Sequence, residues 1–173
     1  MLLKGVNVGG HRTFRPSVLA KQLRHVDAVS IGAAGSFVIR RRVNRARLRS
    51  EISRRLPFEA DIMICDGGEV LRLVDADPFF GQPVRPDIVR FVSVLARRRA
   101  PSSQVPLTLP PRGRWSLKAL ECRGRFVLGL YRREMKAIGY LGQLEQFLGV
   151  SITTRNWTTM MAIAQLVKRG TQP

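Results

Sequence analysis

The residues best suited to chemistry stand near the two ends of the chain. Gly5-Val6-Asn7-Val8-Gly9-Gly10-His11-Arg12 contains three glycines, with Lys4 just before it and Arg12 at its close. Glycines let a backbone turn several N–H groups toward one point, so a loop of this composition suits a phosphate or carboxylate. It is not a nucleoside-triphosphate P-loop, because His11-Arg12 stands where that motif needs Lys and then Ser or Thr. The competing reading is a strand-to-helix turn whose glycines serve backbone geometry alone. At the other end, Thr154-Arg155-Asn156-Trp157 reads as a helix start, where backbone N–H groups favour an anion and a guanidinium can clamp one with two parallel bonds. Asn156 as a cap and Trp157 as a core residue explain most of those letters without a ligand, and Arg155 is the one least explained by packing.

Other chemistries find less support. The two histidines, His11 and His25, have no Ser or Cys at a local spacing that would make a nucleophile and base. The two cysteines, Cys65 and Cys122, lie far apart with no metal-ligand spacing, and read as reduced, buried thiols. Asp61, Asp66, Glu69, Asp75 and Asp77 read as balance for a basic surface rather than an acid/base pair. No catalytic residue, metal or cofactor is therefore assigned.

Charge points to anions more generally. The 173 residues carry a formal net charge of +18, and of 30 basic residues 25 are arginine. Eight arginines fall between residues 40 and 58 against Glu51 alone, whereas residues 59 to 77 hold six acids against Arg72. An arginine-rich face carrying Arg40, Arg41, Arg42, Arg45 and Arg49 could track a nucleic-acid backbone. The same residues also suit a solvated face, with Glu51 pairing to Arg47 and Arg55 at four-residue spacing. The RNA-platform mode fits poorly, since Leu2 to Asn7 has no aromatic and the third strand offers only Phe37.

The elements that must position these residues follow from periodicity and punctuation. Apolar residues at 45% of the chain imply a folded α+β protein. A strand is expected at Leu2 to Val6, a helix from Pro16, strands at Ala28 to Ala33 and Phe37 to Arg41, a helix capped by Asn44, and a strand at Asp61 to Cys65. That order, β-α-β-β-α-β, is the ferredoxin-like split βαβ unit. Asp66-Gly67-Gly68 closes it, Glu69 to Val74 makes a short helix, and residues 77 to 87 read as a linker. The second half, 88 to 173, opens with a strand at Ile88 to Leu95. A Pro/Arg-rich loop over 97 to 114 follows, then a hairpin of Leu117 to Cys122 and Arg125 to Tyr131 around Arg123-Gly124. A helix from Tyr140 stopped by Gly149, a strand at Val150 to Thr153 and a last helix from Asn156 complete two ferredoxin-like halves expected to pack into one compact unit.

Two segments carry a family resemblance. Leu3-Lys4-Gly5-Val6-Asn7-Val8-Gly9-Gly10 resembles the LLRGINVGG element of the bacterial domain-of-unknown-function family 1697, and Thr154-Arg155-Asn156-Trp157-Thr158-Thr159 resembles its TARNWRT element, in the same order and separation. Asp77-Pro78-Phe79 is similar to its mid-chain turn. The resemblance implies a two-part α+β protein with ferredoxin-like halves and carries no established activity. Ala33-Ala34-Gly35-Ser36 departs from the family's QSGN turn, and the chain begins inside the first strand, so either a short strand or a truncated start is expected.

The expected function is that of a non-catalytic, cytoplasmic binder of an anionic ligand, held between the glycine loop and the Arg155 helix start by Lys4, Asn7, Gly9, Gly10, Arg12, Arg155 and Asn156. The alternatives are a nucleic-acid-binding basic module and an enzyme acting on a phosphorylated or carboxylated metabolite. No membrane partner is expected, since no apolar run reaches the roughly 20 residues of a membrane helix.

Overall fold

Short strands punctuated by glycine and helices with strong caps set the course of the chain. The computed structural model describes residues 1–7, 13–82, 84–97 and 105–170. Gly9, Gly10 and Arg12 lie outside the described residues. The protein is α+β, with five helices and two antiparallel sheets among the described residues. It divides into two compact units, Met1–Ala76 with 158–173, and Asp77–Trp157.

The first unit runs β1 (Leu2–Leu3), α1 (Pro16–Gln22), a 3₁₀ turn (Arg24–Val26), β2 (Ala28–Ile31), β3 (Ser36–Ile39), α2 (Arg45–Arg55), β4 (Ile62–Met63) and α3 (Gly67–Asp75). Its sheet has the order β2-β3-β1-β4. β1 is far shorter than the expected Leu2 to Val6, because Gly5 and Asn7 take φ of +63° and +55° and turn the chain out of the sheet. Gly35 shows the same constraint more tightly. At φ +70° a Cβ there would sit 2.6 Å from Val6 Cγ2, so only glycine fits the turn into β3.

Side chains alternate across this sheet. Leu3, Phe37 and Ile62 pack with Leu19 of α1, with Leu23 just after it, and with Leu48 and Ile52 of α2. Leu2, Val38 and Met63, one residue out of phase, are buried on the opposite face. α2 starts where expected, with Asn44 Oδ1 accepting from the Ala46 and Arg47 N–H groups at 2.9 and 3.1 Å. α3 begins earlier than Glu69. Asp66-Gly67-Gly68 is not a closing turn but the entry to the helix, where Asp66 Oδ1 accepts from Gly68 N at 2.8 Å and Glu69 Oε2 accepts from Asp66 N at 3.2 Å, a reciprocal capping box.

The last helix, α5 (Trp157–Gly170), corrects the expected division of the chain. From Thr158 onward it belongs to the first unit rather than to a half running 88 to 173. A Cβ on Gly67 would lie 2.9 Å from Val167 Cγ1, so α3 begins with glycine where α5 presses on it. Lys168 Nζ reaches Asp75 Oδ1 at 2.8 Å.

The second unit holds β5 (Ile88–Leu95), β6 (Leu107–Leu109), β7 (Leu117–Arg123), β8 (Phe126–Arg132), α4 (Lys136–Leu148) and β9 (Ile152–Asn156), with sheet order β6-β7-β8-β5-β9. β6 was not expected. It lies in the segment read as a loop over 97 to 114 and pairs with β7, with Leu109 buried opposite Leu117. Residues 77 to 87, read as a linker, belong to this unit, and buried Phe79 meets Trp157 edge-on at 5.1 Å between ring centroids. Without β6, the order β7-β8-β5-β9 repeats that of the first sheet, strand for strand. α4 follows the third of these strands as α2 does in the first unit, and β6 lies where the first unit has α1.

Two outcomes test this packing. Gly129 of β8 pairs with Phe91 of β5, and a Cβ there would collide with the Phe91 ring and the Lys118 carbonyl. Gly129→Ala should lower unfolding free energy by about 1–3 kcal/mol in urea titrations, the usual cost of overpacking. Glu51 accepts from Arg55 at 2.7 Å and lies 3.2 Å from His25 Nε2. The Arg55 hydrogen bond holds its carboxyl below the ordinary range. A carboxylate with a depressed folded pKa contributes stability above its unfolded pKa and loses it as pH falls through the folded one. Glu51→Gln should therefore cost about 0.5–1 kcal/mol near neutral pH, the scale of an exposed pair, and the two proteins should converge in acid.

Candidate functional site

Because β3 and β4 both run antiparallel to β1, their C-terminal ends emerge together beside the start of β1. Leu2 pairs with Ser36 on one side and with Met63 on the other. At this end of the first sheet lies a cavity of about 440 Å³. Its apolar lining includes Leu2, Ile39, Val43 and Val70, with Met160, Ile163 and Val167 contributed by α5. Its polar lining is Arg40, Arg41, Arg42, Arg45 and Asp66, with Cys65 and Gly67 beside them. Four of the five arginines read as a nucleic-acid face thus meet around one hollow.

The rim is basic and loosely held. Arg40 lies 3.7 Å from Asp27 and Arg45 lies 3.7 Å from Asp66. Arg41 Nη1 donates to the His25 carbonyl at 3.5 Å, the limit of a hydrogen bond. Arg42 is exposed and has no partner among the described residues. Long, exposed ion pairs contribute little, so a ligand anion can draw these guanidiniums away at small cost. The stem of Arg40 is better fixed, since its Cγ lies within 3.2 Å of the Cβ position of Gly170. α2 and α3 both start at the cavity, but Asn44 and Asp66 already cap them. The attraction for an anion therefore resides in guanidinium groups. Arg49 is set apart, donating to the Ile62 carbonyl.

Of the residues read as an anion site from the chain's ends, Lys4, Asn7 and Arg155 are engaged within the protein. Asn7 donates from Nδ2 to the carbonyls of Phe14 and Ala33 at 3.0 and 2.6 Å and accepts from Phe14 N at 2.9 Å, so its side chain staples a loop. Lys4 lies 3.8 Å from Asp61 and lines a second hollow that also holds Glu59, carboxylates that oppose an anion. Arg155 lies in strand β9, not at a helix start, and pairs with Val92. Only 7% exposed, it donates from Nη1 to Thr153 Oγ1 at 2.9 Å and to the Thr154 carbonyl at 2.8 Å. Burial lowers its pKa to about 10. Its packing, which the sequence left unexplained, is that of a buried residue in an edge strand. Asn156 is exposed, ends β9 and immediately precedes α5.

Among the described residues, no group of three or more His, Cys, Asp or Glu side chains is arranged to hold a metal, and no helix is long and apolar enough to cross a membrane. Comparison with family models, with curated proteins and with solved structures finds no match to this chain.

Sequence analysis located the arginines but not the cavity. Its apolar wall comes from Met160, Ile163 and Val167, more than a hundred residues away from Arg45 in the chain. Helical spacing marks them as buried and cannot say against what. As a check on the role of Arg155, Arg155→Ala should cost about 2–4 kcal/mol of stability through lost packing, and Arg155→Met less, because its volume is kept. Calorimetric titration of either variant with an anion that binds the wild-type protein should return an unchanged affinity.

Proposed function

We propose that this protein binds a small ligand that joins a phosphate or carboxylate to an apolar or planar body, and that it does so in the arginine-rimmed cavity of its first unit. One observation carries this reading: four arginines and one aspartate stand over an apolar floor in a hollow of about 440 Å³. That volume lies within the roughly 300–1,000 Å³ usual for small-molecule sites, and such sites combine apolar walls with a few convergent polar groups. The guanidiniums supply paired, charge-assisted donors to the anion, and burial of the body supplies hydrophobic affinity. The anionic ligand expected from the sequence is retained, and the site favoured for it here is the end of the first sheet.

The second unit supports the choice by contrast. Its corresponding strand, β8, also runs into an Arg-Arg pair, but Arg132 Nη1 lies 2.6 Å from Asp87 and its Nε donates to the Trp115 carbonyl at 3.1 Å. Those donors are used, and the equivalent ones of the first unit are not held so closely. The shared strand order further suggests that both units are ferredoxin-like, the second with β6 in place of its first helix. We also propose, on the two terminal elements alone, membership of the domain-of-unknown-function family 1697.

Thermal shift with a panel of nucleoside monophosphates, sugar phosphates and fatty carboxylates tests the reading. A binding member should raise the melting temperature saturably, and Arg42→Ala with Arg45→Ala should weaken it about tenfold or more, about 1.4 kcal/mol or more. Bound ligand should also slow alkylation of Cys65, which lines the cavity, and leave that of Cys122 unchanged. A panel without any saturable stabilisation, or binding indifferent to both arginines, would overturn it.

A further inference from the structure

The cavity opens beside a helix that carries more arginine than its fold requires. α2 begins at Arg45, on the rim, and runs to Arg55. Its inward residues are Leu48 and Ile52. Arg49 is bound to the Ile62 carbonyl and Arg55 to Glu51. Arg47 and Arg54 are accounted for by neither task. Both are exposed, and neither has a partner among the described residues. At 100° per residue they project within about 20° of each other, seven residues or roughly 10 Å apart along the helix axis. Between them on that face lie Ser50, which is small, and Glu51, which is half-buried and already engaged by Arg55 and His25.

We infer that the first unit binds single-stranded nucleic acid, one nucleotide seated in the cavity and the adjoining phosphates following Arg47 and Arg54 along α2. This deepens the proposed function and rests on it. A repeating anion fits better than a single one, because Arg47 and Arg54 on α2, like Arg42 in the cavity lining, are cations that one phosphate in the cavity does not engage together. Single strands fit better than duplex, because only an unstacked base can enter a hollow. With Phe37 wholly buried, guanidinium planes rather than aromatic rings would face the base, a stacking partner that is tolerant of sequence.

The experiment compares uridine monophosphate with oligouridylate RNA of about eight nucleotides, within the usual span of a single-strand site. Both are titrated by fluorescence or calorimetry against the full chain and its Arg47→Ala/Arg54→Ala variant. Both substitutions are exposed and favour helix, so the variant should fold, which circular dichroism checks. The RNA should bind the wild-type chain at least about tenfold more tightly than the monophosphate. The variant should lose that gain, keep its affinity for the monophosphate, and flatten the slope of log affinity against log salt by about 1.4, at about 0.7 per single-strand phosphate contact. RNA that binds no better than the monophosphate, an unaltered slope in the variant, or an equally tight duplex or acidic peptide would overturn this inference while leaving the small-ligand reading intact. If the monophosphate and all other small anions fail to bind, both readings fall together.

Discussion

Two residues of β1 hold the first unit's geometry in place. Leu2 and Leu3 are buried at 3% and 0% exposure, and the strand they form is bonded on one side to β3 and on the other to β4. Antiparallel pairing on both sides obliges β3 and β4 to leave the sheet in the same direction. The segments that follow them, Arg40 to Val43 and Cys65 to Gly67, must then share one end of the sheet. The cavity is the space between those exits, closed by the start of α2, the start of α3 and the middle of α5. A strand of only two residues suffices because both faces are covered by apolar side chains, so register is set by burial as well as by hydrogen bonds.

Charge is distributed by the same geometry. Some arginines are buried against carbonyls and hydroxyls, as at Arg155, some are held in short ion pairs, as at Arg55 and Arg132, and others are left at the surface with long ones, as at Arg40 and Arg45. A buried guanidinium must find fixed acceptors, since desolvation otherwise costs several kcal/mol. Arg125, 8% exposed, turns its Nη2 to the Leu95 carbonyl at 2.7 Å. Such residues raise the net charge without offering it to a partner. The formal +18 thus overstates the charge available for binding, and one part of what remains available lines the end of the first sheet and α2.

The two units share a strand order and differ at the corresponding end. In the second, Asp87 lies close to both Arg132 and Arg85, and Trp115 is flanked by Lys118 and Arg132 at 5.0 and 4.5 Å from its ring centroid. Cations there are engaged by a carboxylate and an aromatic face. In the first unit the only acidic residue lining the cavity is Asp66, and one of its oxygens caps α3. A shared plan can therefore give one end that is internally neutralised and another that retains positive charge.

Local patterns determined much of this by themselves. The Asn44 cap, the apolar spacing of Leu48 and Ile52 and the stop at Gly149 each depend on neighbours within a few residues and stand where the pattern places them, and the hairpin is present with its turn one residue later, at Gly124-Arg125. The concentration of arginine over 40 to 58 is likewise a property of the chain as written. Tertiary structure decided what local patterns do not encode: that Arg155 is buried within a strand, that Leu107 to Leu109 adds an edge strand, and that α5 belongs with the first unit from Thr158 onward. The same is true of the cavity. Its charged rim is contiguous in sequence, but its apolar wall is supplied by a helix from the far end of the chain, and burial against a distant surface leaves no periodicity that names its partner.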